Sequence, residues 1–288
     1  MSQQIITPEL CDWITEQSRA GHPSEAILGA MVGSGWDATV AREALARMLG
    51  GAPAAVVPVP PTSSASNGYT PGLPEPDLVG RPSEIDAGDR KVKIALSLRE
   101  PRVVVFQGLM SDAECDGIIE AATKRLARSE TVATSAEGSE VNAARTSDGM
   151  FFERCESELI RRVEARIAAL LRWPLDHGEG LQVLRYRPGA EYQPHYDYFD
   201  PNHAATASIL KRGGQRVGTL VMYLNHVEAG GATIFPDIGL DVMPVKGNAV
   251  FFSYDRPHPS TQTLHGGAPV IAGEKWIATK WLRQGVFN

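Results

Sequence analysis

This chain has little of what marks several large protein classes. It holds three cysteines in 288 residues, Cys11, Cys115 and Cys155, odd in number and far apart. That excludes a disulfide framework and fits reduced thiols in a cytosol-like compartment. No CxxC pair or paired Cys/His spacing offers a structural zinc site. Basic residues are outnumbered, with 28 Lys and Arg against 34 Asp and Glu and a formal net charge of -6. Without a basic surplus to neutralise phosphates, nucleic acid is excluded as a partner. No apolar run approaches the ~18 residues that span a bilayer, so no membrane partner is expected. The opening MSQQIITPELCDW lacks the basic and apolar regions of a secretory signal, and a cytoplasmic location is the expectation. No internal repeat is visible.

What remains is ordinary globular composition, 43% hydrophobic and 22% charged, in a chain long enough for one large domain and a small one. Residues 1–50 read as a small helical module. Thr7-Pro8 starts one helix, residues 24–31 form a second with Ile27, Leu28 and Met31 on one face, and Asp37 caps a third that carries Val40, Ala44, Leu45 and Met48. Its three helices faintly resemble a ubiquitin-associated bundle. Residues 51–80 are rich in Pro, Ser, Gly and Ala with no amphipathic period, which reads as a linker.

Residues 81–288 carry the main domain. A short strand covers 102–106. Ser111-Asp112-Ala113-Glu114 is a capping box that opens a helix, and 153–171 reads as a second helix ended by Trp173-Pro174. Strands follow over 181–186, 192–198, 219–224, 233–235, 241–243, 249–254 and 275–282, separated by Gly- and Pro-rich turns. Helices before a run of strands indicate an α+β domain with the helices covering one sheet of a jelly roll.

Two short segments carry the chemistry. His195-Tyr196-Asp197 and Leu264-His265-Gly266 supply two imidazoles and one carboxylate, the set that holds non-haem Fe(II) on one face and leaves the other open. In a strand, residues i and i+2 point the same way, so His195 and Asp197 would reach one metal from one strand. His265 must then come from another. On the last strand, Lys275, Ile277, Thr279, Trp281 and Arg283 share one parity, and Trp276, Ala278, Lys280 and Leu282 the other. His258, seven residues before His265, lies in the Pro-rich loop DRPHPS and reads as a solvent residue. His203 reads as a loop residue, and His177 has no partner by spacing.

The segments LQVLRYRPGAEYQPHYDYF, GGATIFP, GNAVFFSYD and LHGGAPVIAGEKWIATKW resemble the Fe(II)- and 2-oxoglutarate-dependent prolyl 4-hydroxylase family, over roughly residues 104–282. The resemblance implies a double-stranded β-helix (jelly roll, cupin-like) with flanking helices. It implies Fe(II) held by His195, Asp197 and His265, with 2-oxoglutarate and O2 as cosubstrates. Two neutral imidazoles and one carboxylate leave the ion one net positive charge and three open positions. A 2-oxo acid fills two and O2 the third. The far carboxylate of the cosubstrate then needs a fixed cation, which the family supplies at the position of Lys275. Tyr186 and Thr219 would stand beside it as hydroxyl donors and Trp281 as a wall.

The same resemblance places substrate contacts at Arg145, Ser147, Glu179, Tyr192 and Arg216, although Arg145 and Glu179 also fit a simple surface ion pair. The implied reaction hydroxylates a prolyl residue, at C4, in a proline-containing peptide or protein. Succinate and CO2 are coproducts and ascorbate is the reductant. The carboxylate at Asp197 points to hydroxylation, because halogenating relatives lack it. The chain departs from the family pattern at Ser260-Thr261-Gln262-Thr263 and Ala268, next to the distal His. Residues 200–214 read either as a mobile flap or as a passive loop. Two other readings stay open: hydroxylation of a free amino acid or non-prolyl side chain, and a barrel that binds proline-rich partners without turnover. A metal-dependent isomerase or hydrolase is disfavoured, since neither requires Lys275.

Overall fold

The structure, a computed structural model, describes residues 14, 17, 23–34, 36–37, 40–42, 44–45, 72–128, 131–132, 139–140, 146–203 and 205–288. The chain divides into two compact units, Met1–Ser64 and Ala65–Asn288. In the first, α1 (Ser24–Gly33) buries Ile27 and Met31 against Ile14, Ala41, Ala44 and Leu45. Asp37 accepts from the Val40 backbone N–H at 3.4 Å, as a helix cap does. The helix start expected at Thr7 and the linker residues 51–71 lie outside the described residues.

The second unit is built on antiparallel strands. They are β1 (Glu84–Asp86), β2 (Lys91–Leu98), β3 (Val103–Gln107), β4 (Ala127–Arg128), β5 (Thr131–Val132), β6 (Ser139–Glu140), β7 (Asp148–Phe152), β8 (Leu181–Tyr186) and β9 (Tyr192–His195). After these come β10 (Arg216–Tyr223), β11 (Ala229–Gly230), β12 (Thr233–Phe235), β13 (Leu240–Val242), β14 (Ala249–Ser253), β15 (His265–Gly267), β16 (Val270–Ala272) and β17 (Lys275–Arg283). The major sheet runs β1-β2-β3-β14-β10-β17-β8-β7-β4, and a minor sheet runs β13-β12-β15-β9. Phe235 and Val242 of the minor sheet share one core with Leu184, Val221, Val250, Phe252 and Ile277 of the major sheet. This is the double-stranded β-helix.

Period-2 alternation sends the other face outward. Leu220, Met222, Phe251, Ala278 and Leu282 pack with Ile118, Ile160, Val163 and Ile167 of two helices, α2 (Asp112–Thr123) and α3 (Glu158–Leu171). One layer of helices therefore covers the outer face, and the inner face is left for the site. The capping box at Ser111 and Glu114 is present.

Arg166 of α3 ties the helices down. It bonds Asp89 at 2.7 Å, Glu114 at 2.7 Å and the Leu109 carbonyl at 2.8 Å. Burial opposes ionisation of Glu114, but the Arg166 guanidinium overrides it and lowers the carboxyl to about 2. A depressed folded-state value means this stability is present above the ordinary carboxylate range and lost as pH falls towards 2. Arg166→Ala leaves Glu114 with Arg162 as its one cationic partner among the described residues and should cost about 3 kcal/mol, read as a lower denaturant midpoint at neutral pH.

Several boundaries differ from the sequence expectation. Helix α3 begins at Glu158, with Ser157 accepting from the Ile160 N–H, rather than at residue 153. Cys155 has φ 57°, a left-handed conformation no helix can run through. The strand expected over 192–198 stops at His195. Of the linker stretch, Pro74, Glu75 and Pro76 are buried. The Glu75 N–H bonds the Leu171 carbonyl at 2.8 Å, and its carboxylate pairs with Arg102. Residues 200–214 include a short helix, α4 (Thr206–Leu210). The base of this segment is pinned by Gln215, whose side-chain amide accepts from Phe199 N–H and donates to its carbonyl, both at 2.8 Å. Among the described residues no helix is long and apolar enough to cross a membrane.

Candidate functional site

Strand register assembles the site. In the minor sheet, His265 of β15 lies directly opposite His195 of β9, and the two ring centroids are 4.4 Å apart. That pairing needs a close approach: a Cβ on Gly266 would stand 2.8 Å from the Tyr192 carbonyl oxygen. The glycine of LHGG is therefore a steric requirement of the site. Asp197 lies in the bend just after β9. It reaches the imidazoles from a turn rather than from the strand parity expected of it. The ligand atoms of His195, Asp197 and His265 all lie within 4.8 Å of one another. His195 Nε2 is 3.6 Å from Asp197 Oδ1, and His265 Nε2 is 3.4 Å from Oδ2.

The protonation pattern suits a divalent metal. His195 Nδ1 lies 2.9 Å from the Gln193 carbonyl and His265 Nδ1 lies 3.0 Å from the Thr263 carbonyl. A carbonyl only accepts, so each Nδ1 carries the proton and each Nε2 turns a lone pair towards Asp197. Burial, then the neighbouring His265, pushes His195 below its ordinary value and favours the neutral ligand form. Burial works against ionisation of Asp197, but His265 and His195 hold its carboxyl well below the usual range. One anion and two neutral nitrogens around a partly open point are the donors that Fe(II) takes.

Lys275 opens β17 opposite Tyr186, the last residue of β8. Its ammonium is 5.6 Å from the Tyr186 ring centroid and 3% of the residue is exposed. Burial alone lowers it to about 7, and among the described residues no carboxylate pairs with it. The pocket around it is lined by both histidines, Asp197, Tyr186, Tyr192, Thr219, Thr233 and Trp281, with Leu184, Val221 and Ile277 as apolar walls. The parity read on the last strand holds in space. Lys275, Ile277, Thr279 and Trp281 line this pocket, whereas Trp276, Ala278 and Leu282 join the outer core.

Thr219 lies elsewhere than expected. It pairs in register with Trp281, and its hydroxyl donates to Asp197 Oδ2 at 2.7 Å instead of flanking Lys275. The threonine near Lys275 is Thr233, which pairs with Gly267. A Cβ on Gly267 would lie 3.7 Å from Lys275 Nζ. Sequence reasoning missed Thr233. Its signal was the GGATIF segment, but which threonine faces the lysine depends on the β12–β15 register.

Of the expected substrate residues, Tyr192 stacks on His195 with ring centroids 3.7 Å apart. Glu179 is not at the surface. It is buried and accepts from Arg216 Nε and Nη2 at 2.7 and 2.9 Å, with Arg283 Nε at 3.1 Å. The ends of β10 and β17 converge on it, which local spacing cannot show. The Arg216 guanidinium also lies 4.0 Å from the Trp281 ring. Ser147 is fully buried and away from the pocket lining, and Arg145 lies outside the described residues. His258 is exposed and bonded to Ser260.

Residues 181–283 match the family model of the 2OG-Fe(II) oxygenase superfamily. The chain is 39% identical over 210 residues to probable prolyl 4-hydroxylase 3 of Arabidopsis thaliana, covering 66% of this chain and 71% of that one. It is 36% identical over 226 residues to prolyl 4-hydroxylase 5 of the same plant, covering 70% and 76%. Among solved structures it is similar to the 2OG complex of a viral collagen prolyl hydroxylase from Paramecium Bursaria Chlorella virus-1. The identity is 32% and the TM-score 0.49, over 63% of this chain and 95% of that one.

Proposed function

Since the chain belongs to the prolyl 4-hydroxylase family of 2-oxoglutarate- and Fe(II)-dependent oxygenases, we propose that it hydroxylates a prolyl residue at C4 in a peptide or protein. 2-Oxoglutarate and O2 are consumed, and succinate and CO2 are released. The observation that carries this reading is one pocket holding both the His195, Asp197 and His265 cluster and a buried Lys275 with no carboxylate partner among the described residues.

Bound at the three ligands, ferrous iron supplies O2 activation coupled to oxidative decarboxylation of a 2-oxo acid. The chain's own residues bind and orient. Lys275 pairs with the far carboxylate of the cosubstrate, and the Tyr186 and Thr233 hydroxyls border the same end. A buried ammonium without a counter-ion is costly, and the dicarboxylate removes that cost. Leu184, Val221 and Ile277 keep water from the cosubstrate's methylene groups. The Glu179–Arg216 pair backs Trp281 and keeps it as the wall between cosubstrate and substrate. Tyr192 offers an aromatic face at the rim, beside the partly exposed His195, where a prolyl ring can lie.

The pocket argues against a free amino acid. Among its described lining residues Lys275 is the one lysine or arginine, and Asp197 is the one carboxylate. With both engaged, no charged side chain among the described lining residues is left for an amino acid's own ammonium and carboxylate. The intact cluster likewise argues against a barrel that only binds. Ascorbate belongs to the same reading as the reductant that restores ferrous iron.

The test is mass spectrometry of proline-rich peptides incubated with the protein, Fe(II), 2-oxoglutarate and O2. The expected product gains one oxygen on proline, with succinate formed in step, while free proline is unchanged. Succinate production with oxygen on free proline, or on another side chain, would overturn the substrate assignment.

A further inference from the structure

One buried group attached to this site has no part in the binding scheme above. Tyr254 follows β14 and is 3% exposed. Its hydroxyl is 3.0 Å from Thr219 Oγ1, and Thr219, fully buried, lies 2.7 Å from Asp197 Oδ2. The direction of the chain is fixed by counting hydrogens. A carboxylate only accepts, so the single Thr219 hydrogen goes to Asp197. The Tyr254 hydrogen must then go to Thr219. Burial, with Asp197 nearby, raises Tyr254 well above its ordinary value, so the phenol keeps the hydrogen it donates.

Resting on the metal reading above, we propose that Tyr254 and Thr219 are positioning residues that reserve Asp197 Oδ2 and leave Oδ1 as the single oxygen offered to the ferrous ion. Both carboxylate oxygens are within reach of the cluster: Oδ1 lies 3.6 Å from His195 Nε2 and Oδ2 lies 3.4 Å from His265 Nε2. A carboxylate free to use both oxygens can chelate the ion and fill one of three open positions. A 2-oxo acid and O2 need all three. A hydrogen bond to Oδ2 occupies one of its lone pairs and draws charge away from it. Donation from Tyr254 polarises the Thr219 hydroxyl and stops it turning elsewhere. The β-branched Thr219 side chain, held in a strand, is stiff at its first torsion, which keeps the hydroxyl aimed. Partners of this kind, one bond out from the ligand, orient it and tune its basicity.

The test compares wild type with Thr219→Val, Thr219→Ser and Tyr254→Phe. Two affinities are measured without turnover: Mn(II) by titration, and nitric oxide, as an O2 surrogate, on the anaerobic Fe(II) and 2-oxoglutarate complex by its ferrous-nitrosyl EPR signal. Thr219→Val should bind both at least about tenfold more weakly. Tyr254→Phe should show a smaller loss in the same direction, and Thr219→Ser should restore both. A Thr219→Val protein that matches wild type in nitric oxide affinity overturns the proposal, whatever its metal affinity. If that variant does not fold, unchanged nitric oxide affinity in Tyr254→Phe does the same. A wild type that binds neither Mn(II) nor 2-oxoglutarate would instead defeat the parent reading.

Discussion

Asp197→Ala should leave a folded protein that retains no iron after gel filtration and makes no detectable succinate. Asp197 supplies the only negative charge in the ligand set. Two imidazoles alone cannot offset the cost of stripping water from a dication, and no other described residue of the pocket lining carries a carboxylate. Metal affinity should fall at least about a hundredfold, the upper end of what even supporting partners contribute. The substitution removes a buried charge and the acceptor for Thr219. The measurement is iron per chain by elemental analysis, with circular dichroism to confirm the fold. Iron retained at wild-type stoichiometry would move the metal away from this cluster.

Lys275→Met should shift saturation with 2-oxoglutarate to far higher concentration while leaving metal content intact. The ammonium is buried and has no carboxylate partner among the described residues, so burial lowers it to about 7. A dicarboxylate entering the pocket supplies the partner. Losing one side of a buried pair of this kind costs about 3–5 kcal/mol, or roughly two to four orders of magnitude in affinity. The same residue carries a stability signature in the empty protein. Its folded value is depressed, so the folded state binds fewer protons than the unfolded chain between about 7 and 10.5. Stability from this group is lost as pH falls through that window, and the full penalty applies below about 7. Lys275→Met should therefore raise the melting temperature of the cosubstrate-free protein by a few degrees at or below neutral pH. In the wild type, 2-oxoglutarate binding should take up a proton above about pH 7 and weaken as pH rises. Calorimetry in buffers of different ionisation enthalpy reads that proton directly.

Local pattern revealed much of this. Alternation along the last strand assigned Lys275 and Trp281 to the pocket and Trp276 to the outer core, because side chains in a strand alternate regardless of partners. The limits of β8 and β12 were legible for the same reason. Val92, Ile94, Leu96 and Leu98 alternate equally well, and β2 was there to be found. What could not be read locally was register between distant segments. Thr219 and Thr233 are both strand threonines in apolar surroundings. Only the pairing of Thr233 with Gly267, and of Thr219 with Trp281, separates the one near Lys275 from the one that holds Asp197. Glu179 is a similar case, since its partners come from the ends of two other strands. The start of α3 was missed because Glu153–Glu156 contains helix formers, and a left-handed Cys155 is invisible in composition.

The most direct test of the central claim is an anaerobic titration of the Fe(II)-loaded protein with 2-oxoglutarate, followed by the visible charge-transfer absorption of a ferrous ion chelated by a 2-oxo acid. The account predicts a band that saturates at one cosubstrate per chain. It should be absent in Asp197→Ala and shifted to far higher 2-oxoglutarate concentration in Lys275→Met. A wild-type protein that shows no band, or a Lys275→Met protein that saturates at the wild-type concentration, would contradict it.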